Sequence, residues 1–376
     1  MCRGRLGATL RYMQTTTQPS SALPSFDPRA LARRAALPAA LAALAAAAFV
    51  VAGGPLEALM DALGRALEAD PRWVGAAAVL ELLSFGGYIA LLWLVGSRAS
   101  PRLGARESTH VTLGGTAATR LLPTGGLGGA ALTLFALGRA GLGTREATRT
   151  LLVFLVLLYA VFLGSIVVAG GLLALGLTSG NGPLALSAVP AVGAALAIAA
   201  ALGLAARRPA TDKRAAAAPA GASNFARFRA GLLGAPPLLG EAVRGALVLV
   251  RSGDARLLGA LAWWGFDAAV LWAMLNALGA PPSLSVVVLA YFVGQVANTI
   301  PIPGAVSGGM VGVLVAFGVE TDLALASVLA YRSVAIWLPA PLGLAALGSL
   351  RKTLARWGAE DARPVWRPRP AVPVAA

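Results

Sequence analysis

The stretch ANTIPIPGAVSGG, residues 297–309, puts two prolines and three glycines inside an otherwise apolar run. Proline removes a backbone donor and clashes with the preceding helical turn, so a helix cannot pass through such a segment unbroken. Irregular backbone facing lipid leaves polar groups unpaired and is not tolerated at bilayer depth. If these apolar runs lie in a membrane, the break must be shielded by protein or must line a water-filled cavity.

Composition places the runs in a membrane. Of 376 residues 57% are hydrophobic and 12% charged, and the mean hydropathy is +0.75. A soluble globular chain averages about 25% charged residues. Several apolar runs approach or reach the roughly 20 residues a spanning helix needs. The net charge of +15 comes from basic residues in the loops and tails between these runs. That is the positive-inside pattern of a membrane protein. It is not the basic and aromatic surface of a nucleic-acid binder, so no nucleic-acid partner is expected. Cys2 and His110 are the only cysteine and histidine. They exclude an internal disulfide and a Cys/His metal cluster, and they leave no nucleophile–histidine relay with a recognisable elbow. No Gly-Lys-Ser/Thr sequence is present, so no nucleotide-hydrolysing loop is expected. No cofactor is implied.

The spans read at residues 37–52, 73–96, 151–177, 184–206, 257–278 and 323–350. Residues 1–35 form a polar basic tail without a signal-peptide core, and residues 351–376 form a basic, Pro-rich C-terminal tail. The principal interior break, 207–256, is a basic linker expected on the cytoplasmic side. Within it Phe225, Phe228 and Leu232 share a helical face beside Arg227 and Arg229. That pattern fits an interfacial helix or, equally, a solvated linker helix.

The break occurs twice. At an offset of 180, Gly114 falls on Gly294, Ala117 on Ala297, Thr119 on Thr299 and Pro123 on Pro303. Gly128 and Gly129 fall on Gly308 and Gly309. The chain therefore reads as two copies of one unit, residues 73–177 and 253–350, within a membrane domain at 36–350. Arginines flank the first break; uncharged residues and then Glu320 and Asp322 flank the second. The first broken segment should dip in from the cytoplasm and the second from outside. The expectation is an all-α polytopic membrane protein in the cell membrane: about six spanning helices plus two re-entrant broken hairpins, arranged as an inverted repeat, with both termini cytoplasmic. Matched Gly/Pro-interrupted segments in inverted copies point to a transporter with its site near the midplane. A half-helix N-terminus at each break would favour an anion. A single break would more simply permit kinking and close packing.

Buried polar candidates follow from the cost of charge at depth, at least about 2.5–3.5 kcal/mol for each residue. Arg120 and Asn298 lie at the breaks and Gln295 just before the second; Arg332 lies about one-third into the last span, and Glu81 and Asp267 lie inside spans. Either the two carboxylates neutralise the two arginines as structural pairs, or the arginines meet a phosphate and a carboxylate serves as counter-ion or proton carrier. Guanidinium suits phosphate through its planar fork of donors. The candidate substrate-binding set is Arg120, Pro123, Gly125, Gly128, Gly129, Asn298, Pro303, Gly304, Gly308, Gly309 and Arg332. Tyr88, Tyr159, Tyr291 and Tyr331 are read as packing or interface anchors.

The stretches TAATRLLPTGGLGG, VANTIPIPGAVSGGMVGVLVAFGV and ASVLAYRSVAIWLPAPLG occur in this order. Together the chain resembles the membrane domain of lysylphosphatidylglycerol synthases, a grouping also described as flippase-like. The family's Pro-x-Pro-Gly motif falls on Pro301, Pro303 and Gly304, its Leu-x-x-Arg arginine on Arg332, and its earlier Leu-Pro-x-Gly on Leu122, Pro123 and Gly125. The chain departs where the family commonly reads Pro-Gly-Gly-x-Gly followed by Glu: Ala305 and Ser307 replace glycines, and Met310 stands near the Glu position. The residues after Leu350 are too few for the soluble synthase domain, so no enzyme activity is expected. The resemblance implies movement of an anionic phospholipid or lipid-linked glycan between leaflets. The alternative is a non-transporting membrane partner of a separately encoded enzyme. An enzyme acting on polyprenyl phosphate lipids lacks the metal or acid motif it would need. A homodimer or a separate enzyme partner is compatible with these features.

Overall fold

The computed structural model describes residues 68–121, 127–180, 182–207, 224–279, 281–299 and 304–361; of these, the side chains at 118, 120, 121, 127, 224–235 and 299 lie outside the description. The expected first span at 37–52 also falls outside it. The described residues are helical, without strands. In chain order the helices are α1 Pro71–Ala99, α2 Ala105–Leu121, α3 Leu127–Arg139, α4 Thr144–Ala174, α5 Leu184–Ala206 and α6 Asn224–Arg251. There follow α7 Leu258–Leu278, α8 Leu284–Val296, α9 Ala305–Ala316, α10 Thr321–Trp337 and α11 Pro339–Asp361. Five segments are long and apolar enough to cross a membrane: α1, α4, α5, α7 with its short 3-10 entry, and the run α10–α11. This is a polytopic all-α membrane protein. Val168, Val189, Leu196 and Trp337 are each more than half exposed. In water that would be an unpaid apolar surface; in a bilayer it is the lipid-facing side.

The centre of the fold is the pair α1 and α7. Asp70 caps α1 by accepting from the Arg72 backbone N–H at 2.9 Å, with Pro71 at the first helical position. The Asp70 N–H reaches the carbonyl of Ala277 near the end of α7, whereas Arg98 at the end of α1 meets Asp254 ahead of α7. The two helices are therefore antiparallel, which is what inversion requires of the first helices of the two copies. They meet through glycine: a Cβ on Gly87 would lie 2.7 Å from the Gly259 carbonyl oxygen and 2.8 Å from the Trp263 nitrogen. Any larger residue would force the helices apart.

The two broken segments fold as helical hairpins, α2–α3 and α8–α9, each closed by a glycine contact. A Cβ on Gly129 would lie 2.9 Å from the Gly115 carbonyl oxygen, and one on Gly309 3.1 Å from the Gly294 Cα. The first arm of each hairpin packs on the last helix of the other copy, α2 on α11 and α8 on α4. Two apolar cores result. One surrounds Tyr291, Met310, Leu314 and Tyr331; the other surrounds Leu91, Leu137, Phe154 and Trp357.

Two expectations change. The C-terminal tail does not begin at 351, because α11 continues to Asp361. Leu350, Thr353, Leu354 and Trp357, spaced three or four apart, are buried and carry the apolar stripe past the basic residues. The linker 207–256 contributes a helix to the bundle. Its helix α6 packs on α4 and α5 and buries Ala242, Val243 and Ala246. Small residues at those positions permit the approach, and the count of charges had concealed it.

Candidate functional site

The buried acid Asp267 sits on α7 and is 8% exposed. Its carboxylate accepts from the Tyr291 hydroxyl on α8 and, at 3.3 Å, from the Tyr331 hydroxyl on α10. A carboxylate in this environment needs such donors, since an unsolvated charge is otherwise expensive. Tyr291 and Tyr331 are themselves 0% and 1% exposed. Their rings stand edge to face, with centroids 6.2 Å apart. So α7, α8 and α10 meet at Asp267 and its two tyrosines. Glu81, 2% exposed, lies on α1, which packs along α7, and Arg332 follows Tyr331 on α10. The tyrosines were read as packing anchors; they pack, and they also supply the donors that Asp267 needs. A buried Asp flanked by apolar residues was the signal that donors had to exist, but nothing in the spacing said which.

From this buried group a line of polar residues runs toward the break. Gln295 lies one turn beyond Tyr291 on the same face of α8. Asn298 follows on the same face, in the 3-10 turn Ala297–Thr299, and is exposed. Gln295 was itself a polar candidate in the sequence, and its place at i+4 from Tyr291 makes it part of the line.

The second half-helix of this hairpin starts at Gly304. Gly304 has φ +82°, a left-handed conformation that a side chain resists, and its carbonyl accepts from the Gly308 N–H at 2.8 Å. Gly304 and Gly308 are exposed and share a face, and a Cβ on either would meet nothing within 4 Å. Gly309, one residue on, faces inward against Gly294. Gly129 in the first hairpin has the same inward role against Gly115, and Gly128 precedes it on α3. The paired glycines thus divide into one that closes the hairpin and a neighbour on a different face. Pro123, Gly125 and Pro303 lie outside the described residues, as does the side chain of Arg120.

A second polar region gathers the described ion pairs. Arg102 reaches Asp361 at 2.6 Å, Arg356 reaches Glu107 at 3.1 Å, and Arg256 reaches Asp254 at 2.7 Å. The first two tie the end of α11 to the entry of α2; Arg98, which meets Asp254 at 3.8 Å, ties the end of α1 to the entry of α7. Exposed pairs of this kind contribute little each, and more as a network.

The family described as lysylphosphatidylglycerol synthase TM region matches residues 30–343. The chain belongs to this family. The match covers both hairpins, the central pair α1–α7 and Arg332, so the site described above lies wholly inside the family domain. No curated protein matches the chain. Membership makes it a membrane protein of the lipid synthase or flippase-like type.

Proposed function

We propose that this chain moves an anionic phospholipid or lipid-linked glycan between the leaflets of the cell membrane, without making or breaking a covalent bond. The observation that carries the reading is the row of polar residues on one face of the second hairpin, from exposed Asn298 through Gln295 to Tyr291, which ends at buried Asp267. A charged head group must cross about 30 Å of hydrocarbon, which is prohibitive without compensating groups. In the proposed cycle the phosphate enters at the break, over the open face of Gly304 and Gly308. Arg332 then receives it with paired donors. Asp267 and Glu81 hold the counter-charge when the arginine is empty, and either can carry a proton. Arg120 is assigned the matching role in the first hairpin. Asp267 accepts from two tyrosine hydroxyls, which fixes the carboxylate in place beside the path.

The test is leaflet-resolved movement of a fluorescent anionic phospholipid in proteoliposomes. Wild type should exceed empty vesicles, Arg332→Ala should lose at least about tenfold in rate, the equivalent of about 1.4 kcal/mol, and Arg332→Lys should be intermediate. Wild type indistinguishable from empty vesicles would leave the non-transporting anchor as the better reading.

A further inference from the structure

Outside the site described, α5 and α6 leave a groove of about 370 Å³ between them. Its walls are apolar, with Leu202 and Ala206 on α5 and Leu247 and Val248 on α6. The charged residues in its lining are Arg244 and Arg251. Leu202 is 46% exposed and Val248 63%, so the walls face outward and are open to lipid. Arg244 is fixed in place: one guanidinium nitrogen donates to the carbonyls of Ala205 at 2.9 Å and Arg207 at 3.2 Å, which closes the end of α5. Its other nitrogens remain as donors. Arg251, in the last turn of α6, is exposed. The acids nearest in sequence are engaged elsewhere, Glu241 with Arg145 at 3.4 Å and Asp254 with Arg256. Arg207, the cap residue of α5, adds a third positive charge where the chain leaves the span.

We propose that this groove holds one anionic phospholipid of the surrounding membrane, bound as a resident lipid and not as cargo. The acyl chains lie along Leu202, Leu247 and Val248, and the phosphate meets Arg244 and Arg251. Charge selects the occupant: an apolar slot closed by two arginines, with the neighbouring carboxylates already committed, favours an anionic head group over a zwitterionic one. Basic pockets between spanning helices bind anionic head groups on this principle, each arginine contributing about fivefold in affinity. The resident lipid would splint α6 to α5 in the half of α6 that packs on the bundle. The groove shares no residue with the Asp267 cluster, so the proposal stands apart from lipid movement.

The purified full-length chain is examined by native mass spectrometry with phosphatidylglycerol and, separately, phosphatidylcholine. Wild type should retain one more phosphatidylglycerol than Arg251→Gln, with occupancy falling about fivefold, and the phosphatidylcholine count should not change. Arg244→Gln should act the same way. Because Arg244 also closes α5, Ala206→Phe provides a second variant that fills the groove without touching a charge, and it should displace the same lipid. Leaflet-resolved transport should persist in Arg251→Gln and Ala206→Phe. Unchanged phosphatidylglycerol retention in both of these variants would overturn the site. Displacement of the lipid by millimolar inorganic phosphate would also overturn it, because the groove would then be an anion site and not a lipid site.

Discussion

The Tyr291 hydroxyl donates to the Asp267 carboxylate, joining α8 of the second hairpin to α7 of the central pair. Tyr331 donates to the same oxygen from α10, so one carboxylate holds three helices. Asp267→Ala would leave two buried hydroxyls without their acceptor, at about 1–3 kcal/mol for each unsatisfied group. The thermal midpoint in detergent should fall clearly. Asp267→Asn keeps an acceptor and should fall less. Equal midpoints for wild type and Asp267→Ala would show that these bonds do not hold the helices together.

The glycines of α9 predict effects of opposite sign one residue apart. A Cβ on Gly309 would press on the Gly294 Cα at 3.1 Å, so Gly309→Ala should destabilise by about 1–3 kcal/mol through overpacking. A Cβ on Gly308 meets nothing. Gly308→Ala should be neutral or stabilise by up to about 1 kcal/mol, the usual helical preference of Ala over Gly. Thermal melts of the two variants settle the sign. Gly308→Leu should then keep the fold while slowing lipid movement. Gly193→Leu, on the exposed face of α5 with equally open space, should leave it unchanged.

The hairpins were legible because proline and glycine interrupt apolar runs at matching places, and the break is a local backbone property. Asp267, Glu81 and Arg332 stood out for a similar reason: charge inside a span needs a cause. The partners of Asp267, Tyr291 and Tyr331, were not legible, since they depend on how α7, α8 and α10 cross. The same holds for the division between Gly308 and Gly309. Two adjacent glycines look alike in sequence, and only the position of the first hairpin arm distinguishes them. The extension of α11 was missed because Arg351, Lys352 and Arg356 dominate its composition, while Leu354 and Trp357 continue the buried stripe.

The antiparallel α1 and α7 imply that equivalent points of the two copies lie on opposite membrane faces. With Cys2→Ser as background, Gly143→Cys, before α4, should be labelled by an impermeant thiol reagent only from the cytoplasmic side. Thr321→Cys, at the start of α10, should be labelled only from outside. Gly143 is preferable to Gly141 as the first site, since Gly141 has φ +97° and resists a side chain. Labelling of both positions from one face would rule out the inverted arrangement.

The entry to α7 makes a prediction about pH. Asp254 accepts from the Arg256 backbone N–H at 3.0 Å and from its guanidinium at 3.0 and 2.7 Å, and Arg256 stacks 4.6 Å from the Trp93 ring on α1. The hydrogen bonds from Arg256 hold the Asp254 carboxyl down at about 2. A carboxyl depressed in the folded state adds stability that is complete above its ordinary value near 4 and is lost as pH falls through about 2. Asp254→Asn preserves the capping oxygen, because Asn caps as well as Asp, and removes only the charge. The variant should melt below wild type at pH 7, keep that deficit at pH 4, and converge on wild type near pH 2. Thermal midpoints in detergent across this range provide the measurement. A deficit that vanishes already at pH 4 would mean that Asp254 titrates as an unpaired surface acid, and that Arg256 does not clasp α1 to α7 through it.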